Sequence, residues 1–388
     1  MEFELTDEQE LIRDSVAKLC SDFSDEYWSE KDTKHEFPWD FYNAMAAAGW
    51  LGIAIPEAYG GSGRGITEAS LVLETVAASG AAMNGATPLH LSIFGMEPVV
   101  KFGSEEMKQK YLPQVAKGDL HVAFGVTEPD AGTDTSSITT AARLDGDHYV
   151  VKGRKVWTTK ALQSERVLLL VRTTAKEKIE KKTDGLTLLL AELQKDEVAI
   201  SPIDKVGRNA VATCEVVYDD LPVHISDRVG EEGKGFKYIL TGLNAERILI
   251  ASEALGIGRV ALRRAVEYAN ERVVFGRPIG KNQGVAFPLA EAKMRLDAAE
   301  LMIRKASWMI DNDIPCGAEA NMAKWLAADA AFQTADQAMQ THGGFGYARE
   351  YHVERYWREA RLMRIAPISQ EMIANFVSEH VLGLPRSY

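Results

Sequence analysis

Cysteine is scarce in this chain, positive charge is in deficit, and no apolar run is long. The 388 residues hold three cysteines, Cys20, Cys214 and Cys316. Scattered and odd in number, they read as reduced thiols rather than a disulfide framework or a metal site. Lys and Arg total 44 against 56 Asp and Glu, a formal net charge of -12. With no Lys/Arg-rich run, that balance argues against non-specific nucleic-acid binding. The longest apolar stretches, such as Val167–Val171 and Leu186–Ala191, are far too short to cross a bilayer. Met1-Glu2-Phe3-Glu4-Leu5 is acidic and lacks a basic leader with an apolar core, so a cytoplasmic location is expected. There is no internal repeat and no low-complexity segment. A nucleotide-binding glycine loop is also missing. Gly60-Gly61-Ser62-Gly63-Arg64-Gly65 would need a glycine at position 66, which is Ile66. A flexible turn is the better reading of that run.

What is present falls into three zones, enough chain for two or three domains. Residues 1 to about 121 read as helices. Thr6 with Gln9 makes a capping box, the run to about Phe23 has helical spacing, and residues 66–80 read as a further helix. Ser104 with Glu105 and Glu106 is another helix start, its acids placed to meet the dipole. From about His121 to Ile225 the period shortens. Apolar runs at Val122–Val126, His148–Val151, Val156–Thr158, Val167–Val171, Leu186–Leu190 and Glu215–Tyr218 are separated by turn signals. Asp145-Gly146 marks a hairpin. These strands suggest a small antiparallel sandwich or barrel. After Gly233 the chain is helical again, over 235–273, 288–312, 317–341 and 368–382, which suggests an antiparallel bundle. Segregated helices and strands make the fold class α+β.

Glu246-Arg247 lies inside the first of these long helices. Gly242 and Leu243 stand one turn before it, Leu249 and Ile250 one turn after. A carboxylate among hydrocarbon shifts its pKa upward, as a general base working near neutrality requires. The plainer reading is an ion pair with some cation, Arg247 itself among the candidates, that only holds helices together.

Other segments carry two readings each. Thr127-Glu128-Pro129-Asp130-Ala131-Gly132-Thr133-Asp134 is a surface loop, or a loop laid along a polar cofactor with hydroxyls and amides on a phosphate. In Val156-Trp157-Thr158-Thr159, Trp157 taken alone reads as core. Arg272-Val273-Val274-Phe275-Gly276-Arg277 ends the long helix, where cations are common for dipole reasons. Gln340-Thr341-His342-Gly343-Gly344-Phe345-Gly346-Tyr347 reads as a helix end with a glycine turn, and His342 there reads as structural.

Taken in order, these segments resemble the acyl-CoA dehydrogenase family over essentially the whole chain. The carriers are Phe124 through Asp134, Trp157-Thr158-Thr159, Glu246-Arg247, Arg272 through Gly276 with Gln283, and Gln340 to Gly344. The resemblance implies helical, barrel and four-helix-bundle domains at 1–121, 122–232 and 233–388. It implies FAD held without a Rossmann fold. Phe124, Val126 and Thr127 should contact the flavin, with Thr133 near the pyrophosphate and the CoA. Trp157 and Thr159 should flank the flavin ring. Arg272, Phe275, Gln283, Gln340, Gly343 and Gly344 match residues that reach the FAD of a neighbouring subunit. A dimer is then the minimum and a homotetramer the usual state. Ser369 and Glu371 fall at the cofactor, and Asn244 and Arg247 near the CoA thioester.

Many members carry the catalytic glutamate near the C-terminus. Here that region reads Arg364-Ile365-Ala366-Pro367-Ile368-Ser369-Gln370-Glu371, and Pro367 or Ala366 fills the slot. Neither takes a proton. A second group, like the isovaleryl-CoA dehydrogenases, carries the base immediately before the Arg, which is the place of Glu246. The implied reaction is α-proton abstraction from an acyl-CoA with β-hydride transfer to flavin N5, giving a trans-2-enoyl-CoA. Its place is in fatty or branched acyl-CoA catabolism (β-oxidation), and its electron acceptor is an electron-transferring flavoprotein. The enolate oxygen needs donors, and the family uses a ribityl hydroxyl and a backbone N–H from the C-terminal slot. Proline has no N–H, so the register of Ala366 and Pro367 decides whether that donor survives. Two competing readings are a flavin monooxygenase or oxidase on the same fold and a non-catalytic partner subunit.

Overall fold

The structure is a computed structural model and describes residues 4–387. Helices come first. Helix α1 (Asp7–Cys20) starts on the expected capping box: Thr6 Oγ1 accepts from Gln9 N at 3.3 Å and Gln9 Oε1 accepts from Thr6 N at 3.1 Å. Its buried residues Ile12, Val16 and Cys20 recur every fourth position, one face of a helix. Then come α2 (Asp25–Lys34), α3 (Trp39–Ala47), α4 (Ile66–Val76), α5 (Ala82–Phe94), α6 (Glu97–Phe102) and α7 (Glu105–Lys117). Every residue of α5 is buried. That includes the polar Asn84, Thr87, His90 and Ser92, so α5 is walled on all sides by the rest of the chain.

The glycine run at 60–65 is a turn, as expected. A Cβ on Gly61 would stand 2.1 Å from the Ile55 carbonyl oxygen, so only glycine lets the two backbones approach. The same turn feeds α4, whose N-terminus is capped across the molecule. Asp311 Oδ1 accepts from Ile66 N at 2.7 Å, and Oδ2 from Thr67 N at 2.9 Å. Asp311→Ala is expected to cost about 1–2 kcal/mol in urea unfolding, as loss of a cap does.

The central strands are β1 (Val122–Gly125), β2 (Ala141–Asp145), β3 (His148–Thr159), β4 (Arg166–Arg172), β5 (Leu186–Glu192), β6 (Val198–Pro202), β7 (Thr213–His224) and β8 (Arg228–Val229). The hairpin stands where Asp145-Gly146 places it, with Asp145 opposite His148 and Gly146 at φ 62°. The runs 148–151 and 156–158 are one strand, β3, with register shifts against β7 after Val151 and after Lys155. The sheet order is β6-β7-β3-β2-β4-β5-β8. The expected antiparallel barrel is corrected here. The ladder does not close, and β1 runs parallel to β4, as does β2 at its single pair Ala141–Arg172. Alternation along a strand fixes which face is buried but says nothing of neighbour or direction.

The chain then returns to helices: α8 (Gly235–Glu271), α9 (Gln283–Asp311), α10 (Gly317–His342), α11 (Val353–Met363) and α12 (Gln370–Phe376). Between α8 and α9 lies a two-stranded hairpin, β9 (Val273–Val274) with β10 (Arg277–Pro278). Helix α8 packs on α9, α10 and α11. Its contact with α10 is close because small residues stand there: a Cβ on Gly258 would lie 3.2 Å from Ala331 Cα, and α10 buries Ala320, Ala323, Ala327, Ala331, Ala335 and Ala338. Helix α11 was not foreseen. Its charged residues conceal a stripe at Val353, Tyr356, Ala360 and Met363, all buried.

Two apolar cores meet along α8. One joins Trp28, Phe41 and Tyr42 of the N-terminal helices to Leu249 and Ile257; the other joins α7, β1, β4 and β5 to Tyr238 and Ile239. The cleft of interest lies where α5, β1 and α8 converge.

Candidate active site

Glu246 sits three turns into α8, between buried Ala245 and buried Ile248 and Leu249. It is half-buried, and among the described residues no hydrogen bond or ion pair holds its carboxylate. The ion-pair reading is therefore not met. Burial pushes its pKa up to about 7. His90 and Arg247 pull against that rise, while Glu253 and Glu97 add to it. Arg247 turns instead to Asn244, with Nη1 2.8 Å from Oδ1, and its Nε is buried with no partner.

The wall facing Glu246 is α5. A Cβ on Gly242 would stand 3.2 Å from the Phe94 ring and 2.7 Å from Glu97 Oε2, so glycine there lets α5 and α6 close on α8. Phe94 lies 5.8 Å from the Phe124 ring and 5.7 Å from the His90 ring. His90 Nδ1 is 2.7 Å from Glu253 Oε1, and both residues are buried. Arg208, in the segment before β7, donates from Nη2 to Thr159 Oγ1 at 3.2 Å and to Thr213 Oγ1 at 2.9 Å, and its charge also acts on Glu253. A line of contacts thus runs from Phe124 through Phe94 and His90 to Glu253 on α8.

The loop after β1 is pinned. Lys155 Nζ donates to Val126 O and to Glu128 Oε1, each at 2.9 Å. Glu128 also accepts from Thr139 N at 2.6 Å and Thr140 N at 2.8 Å. Thr127 O accepts from Val156 N at 2.9 Å, which sets Thr127 beside the end of β3. Thr133 is exposed farther along the loop. Trp157 is not core. It is 57% exposed with a left-handed backbone at φ 60°, so the strand presents it outward.

A second group gathers at the far end of α8. The Arg272 guanidinium lies 5.6 Å from the Phe345 ring, beside the turn that holds Gly343 and Gly344. Phe275 tips the β9–β10 hairpin, fully exposed at φ 51°. Gln283, first in α9, and Gln340, near the end of α10, are also exposed. His342 is structural, as expected, stacked on Tyr268 at 4.3 Å with Nδ1 2.8 Å from Ala338 O. Ser369 caps α12 through Met372 N at 3.3 Å and, with Glu371 and Arg364, lines a cavity of about 290 Å³. Both charges, Glu371 and Arg247, act on the buried amine of Lys324, which ties this segment to the Glu246 region.

Three models of acyl-CoA dehydrogenase match the chain: the N-terminal domain over residues 6–119, the middle domain over 123–221 and the C-terminal domain over 233–382. The acyl-CoA dehydrogenase fadE12 of Mycobacterium bovis is 39% identical, the match covering 99% of this chain and 98% of that one. The chain belongs to the acyl-CoA dehydrogenase family. Among solved structures, butyryl-CoA dehydrogenase from Megasphaera elsdenii superposes with a TM-score of 0.91 at 32% identity, over 98% of this chain and 100% of that one. A chain solved in work on the electron transferring flavoprotein of Acidaminococcus fermentans gives a TM-score of 0.94 at 32% identity, over 98% and 100%.

The dehydrogenase is a flavoprotein oxidoreductase, and FAD is its cofactor. The residues fit that group. Trp157 and Phe275 offer exposed aromatic faces, Thr127, Thr133 and Thr159 offer hydroxyls, and a Cβ at Gly343 or Gly344 would meet nothing within 4 Å. No helix among the described residues is long and apolar enough to cross a membrane. His90, Glu253, Arg208 and Phe94 were missed from sequence. Their signal was faint: His90 interrupts an apolar run, and Glu253 falls seven residues after Glu246, on the same helical face.

Proposed function

We propose that the chain oxidises an acyl-CoA thioester to a trans-2-enoyl-CoA with Glu246 as the base. The observation that carries this reading is the Glu246 carboxylate, without hydrogen bond or ion pair among the described residues and raised to about 7 by burial beside α5. At neutral pH such a group is part ionised and accepts a proton at little cost. Glu246 takes the α-proton: the C–H bond breaks and an O–H bond forms on the carboxylate. FAD, when bound, supplies the acceptor for the β-hydride. Phe124, Val126 and Thr127, held by Lys155, shape one side of its ring site, and Trp157 with Thr159 the other. Thr133 lies toward the pyrophosphate and CoA, Asn244 and Arg247 toward the thioester, and Ser369 and Glu371 toward the cofactor.

The usual backbone donor for the enolate oxygen has no free counterpart in the slot. Ala366 N already donates to Leu362 O at 3.0 Å, and Pro367 has no N–H.

The domains divide, on this reading, at 1–121, 122–232 and 233–388. Arg272, the C-cap of α8, lies twenty-six positions after Glu246, roughly 39 Å at the α-helical rise. Arg272, Phe275, Gln283, Gln340, Gly343 and Gly344 therefore serve the FAD of a second copy. A bundle-to-bundle tetramer is favoured by α9. Phe287, Met294, Leu301 and Trp308 recur every seven residues and are 62%, 65%, 51% and 39% exposed. Met294→Asp is expected to lower the sedimentation mass of the native assembly, and an unchanged mass would clear this face of that role. The electron acceptor is an electron-transferring flavoprotein, in line with the work in which the Acidaminococcus chain was solved.

An anaerobic screen of straight, branched and cyclic acyl-CoAs tests the reaction. Bleaching of the flavin without oxygen is the expected result. An oxygenase would stay yellow, and a non-catalytic subunit would stay yellow or carry no FAD.

A further inference from the structure

We propose that His90, anchored by Glu253, is a positioning residue that holds Glu246 in its ionised form and thereby sets the lower pH limit of turnover. The proposal rests on Glu246 being the base. Its ground is the crossing of α5 over α8. Phe94 faces Gly242 at one end of the crossing, and His90 meets Glu253 at 2.7 Å at the other. Gly242, Glu246 and Glu253 lie four and seven residues apart, on one helical face. Glu246 is therefore bracketed on α8 by two residues that touch α5, and the charge-bearing side chain α5 presents there is His90.

The charges around Glu246 come from three helices. Helix α5 contributes His90, α6 contributes Glu97, and α8 contributes Arg247 and Glu253. Glu97 is partly neutralised by Lys101 Nζ, 2.7 Å from its Oε1. Arg208 faces His90 and Glu253 from outside α8. Burial alone would strip the proton from His90, but Glu253, in contact with it, and Glu246 outweigh that effect and raise its pKa. The charged imidazole is favoured there, in contact with Glu253 and within the field of Glu246. Of the charges on Glu246, His90 acts most strongly to favour the ionised carboxylate. Among the described residues Glu253 Oε2 makes no hydrogen bond, so the hydrogen bond its carboxylate makes is the one to His90.

The test reads the pH profile of anaerobic flavin reduction, using the best-reducing acyl-CoA from the screen above at saturating concentration. Glu246 must be ionised to accept a proton, so the rate falls as pH drops through its pKa. His90→Gln removes the cation, and the acidic limb is expected to move up by about one pH unit, a tenfold slower reduction on that limb. The alkaline plateau stays within a few-fold. A merely structural histidine would change stability or FAD retention and leave the limb in place, and an unmoved limb overturns the proposal. Glu253→Gln loosens His90 but also removes an anion that opposes Glu246, so its two effects on the limb run against each other. If His90→Gln yields no folded holoenzyme, His90→Asn takes its place, and an unmoved limb there overturns the proposal. Glu246→Gln separates the two layers. If it reduces flavin normally, the base reading has failed; if it is inert while the His90→Gln limb is unmoved, only this inference has failed.

Discussion

Glu246→Gln is expected to slow anaerobic flavin reduction by about 10²–10⁴-fold, the range general-base catalysis supplies, while FAD stays bound. Glutamine keeps the shape of the side chain and removes its basicity. Because the carboxylate makes no hydrogen bond or ion pair among the described residues, the exchange strands no hydrogen-bond partner, and His90 keeps its contact with Glu253, so the fold should tolerate it. The loss should fall on kcat and kcat/KM alike, as it does when an interaction belongs to the transition state alone. Stopped-flow reduction under anaerobic conditions measures it directly. A wild-type rate would send the base elsewhere. Glu371, near the usual C-terminal position of the base, is the next suspect, but it is exposed and its pKa is lowered by its own backbone N–H and by Ser369, the wrong direction for a base near neutrality.

Local features of the fold were legible because their causes are local. The capping box at Thr6, the hairpin at Asp145-Gly146 and the long helix from residue 235 each depend on residues within a few positions of one another. Glu246 was legible for the same reason: one acid in a run of apolar turns. The rest of the site depends on residues that meet across the chain. His90 and Glu253 are 163 positions apart, and nothing in either neighbourhood names the other. Arg208 lies in an irregular segment whose course only the folded chain defines. The antiparallel barrel failed similarly, since β1 and β4 run parallel across an intervening loop and hairpin and the sheet does not close. Trp157 misled in the opposite sense. Aromatic residues between β-forming neighbours are usually buried, and here a left-handed backbone turns the ring outward.

Lys155→Met is expected to destabilise the chain by about 3–5 kcal/mol, the cost of breaking a buried ion pair from one side. Both partners are buried, Lys155 at 0% and Glu128 at 5% exposure. Burial works against the Glu128 charge, yet Lys155 and the Thr139 and Thr140 donors overcome it and lower its pKa from 4.5 to about 2. A carboxyl group depressed in the folded state adds stability that is complete above its unfolded value and drains away as pH falls toward the folded one. The stabilisation should thus be intact above about pH 4.5 and fade toward pH 2. Urea unfolding across that window checks the sign, and Glu128→Gln should be weaker at neutral pH but flatter in acid. The double variant decides what the pair does. If Lys155→Met hurts mainly by leaving Glu128 charged and alone, adding Glu128→Gln should restore part of the loss. FAD affinity should recover less, because the Val126 carbonyl, which Lys155 also holds, stays without its donor whether or not the charge is cancelled. Stability that returns while the cofactor still leaks would show that Lys155 shapes the flavin loop through a neutral hydrogen bond as well as through its charge.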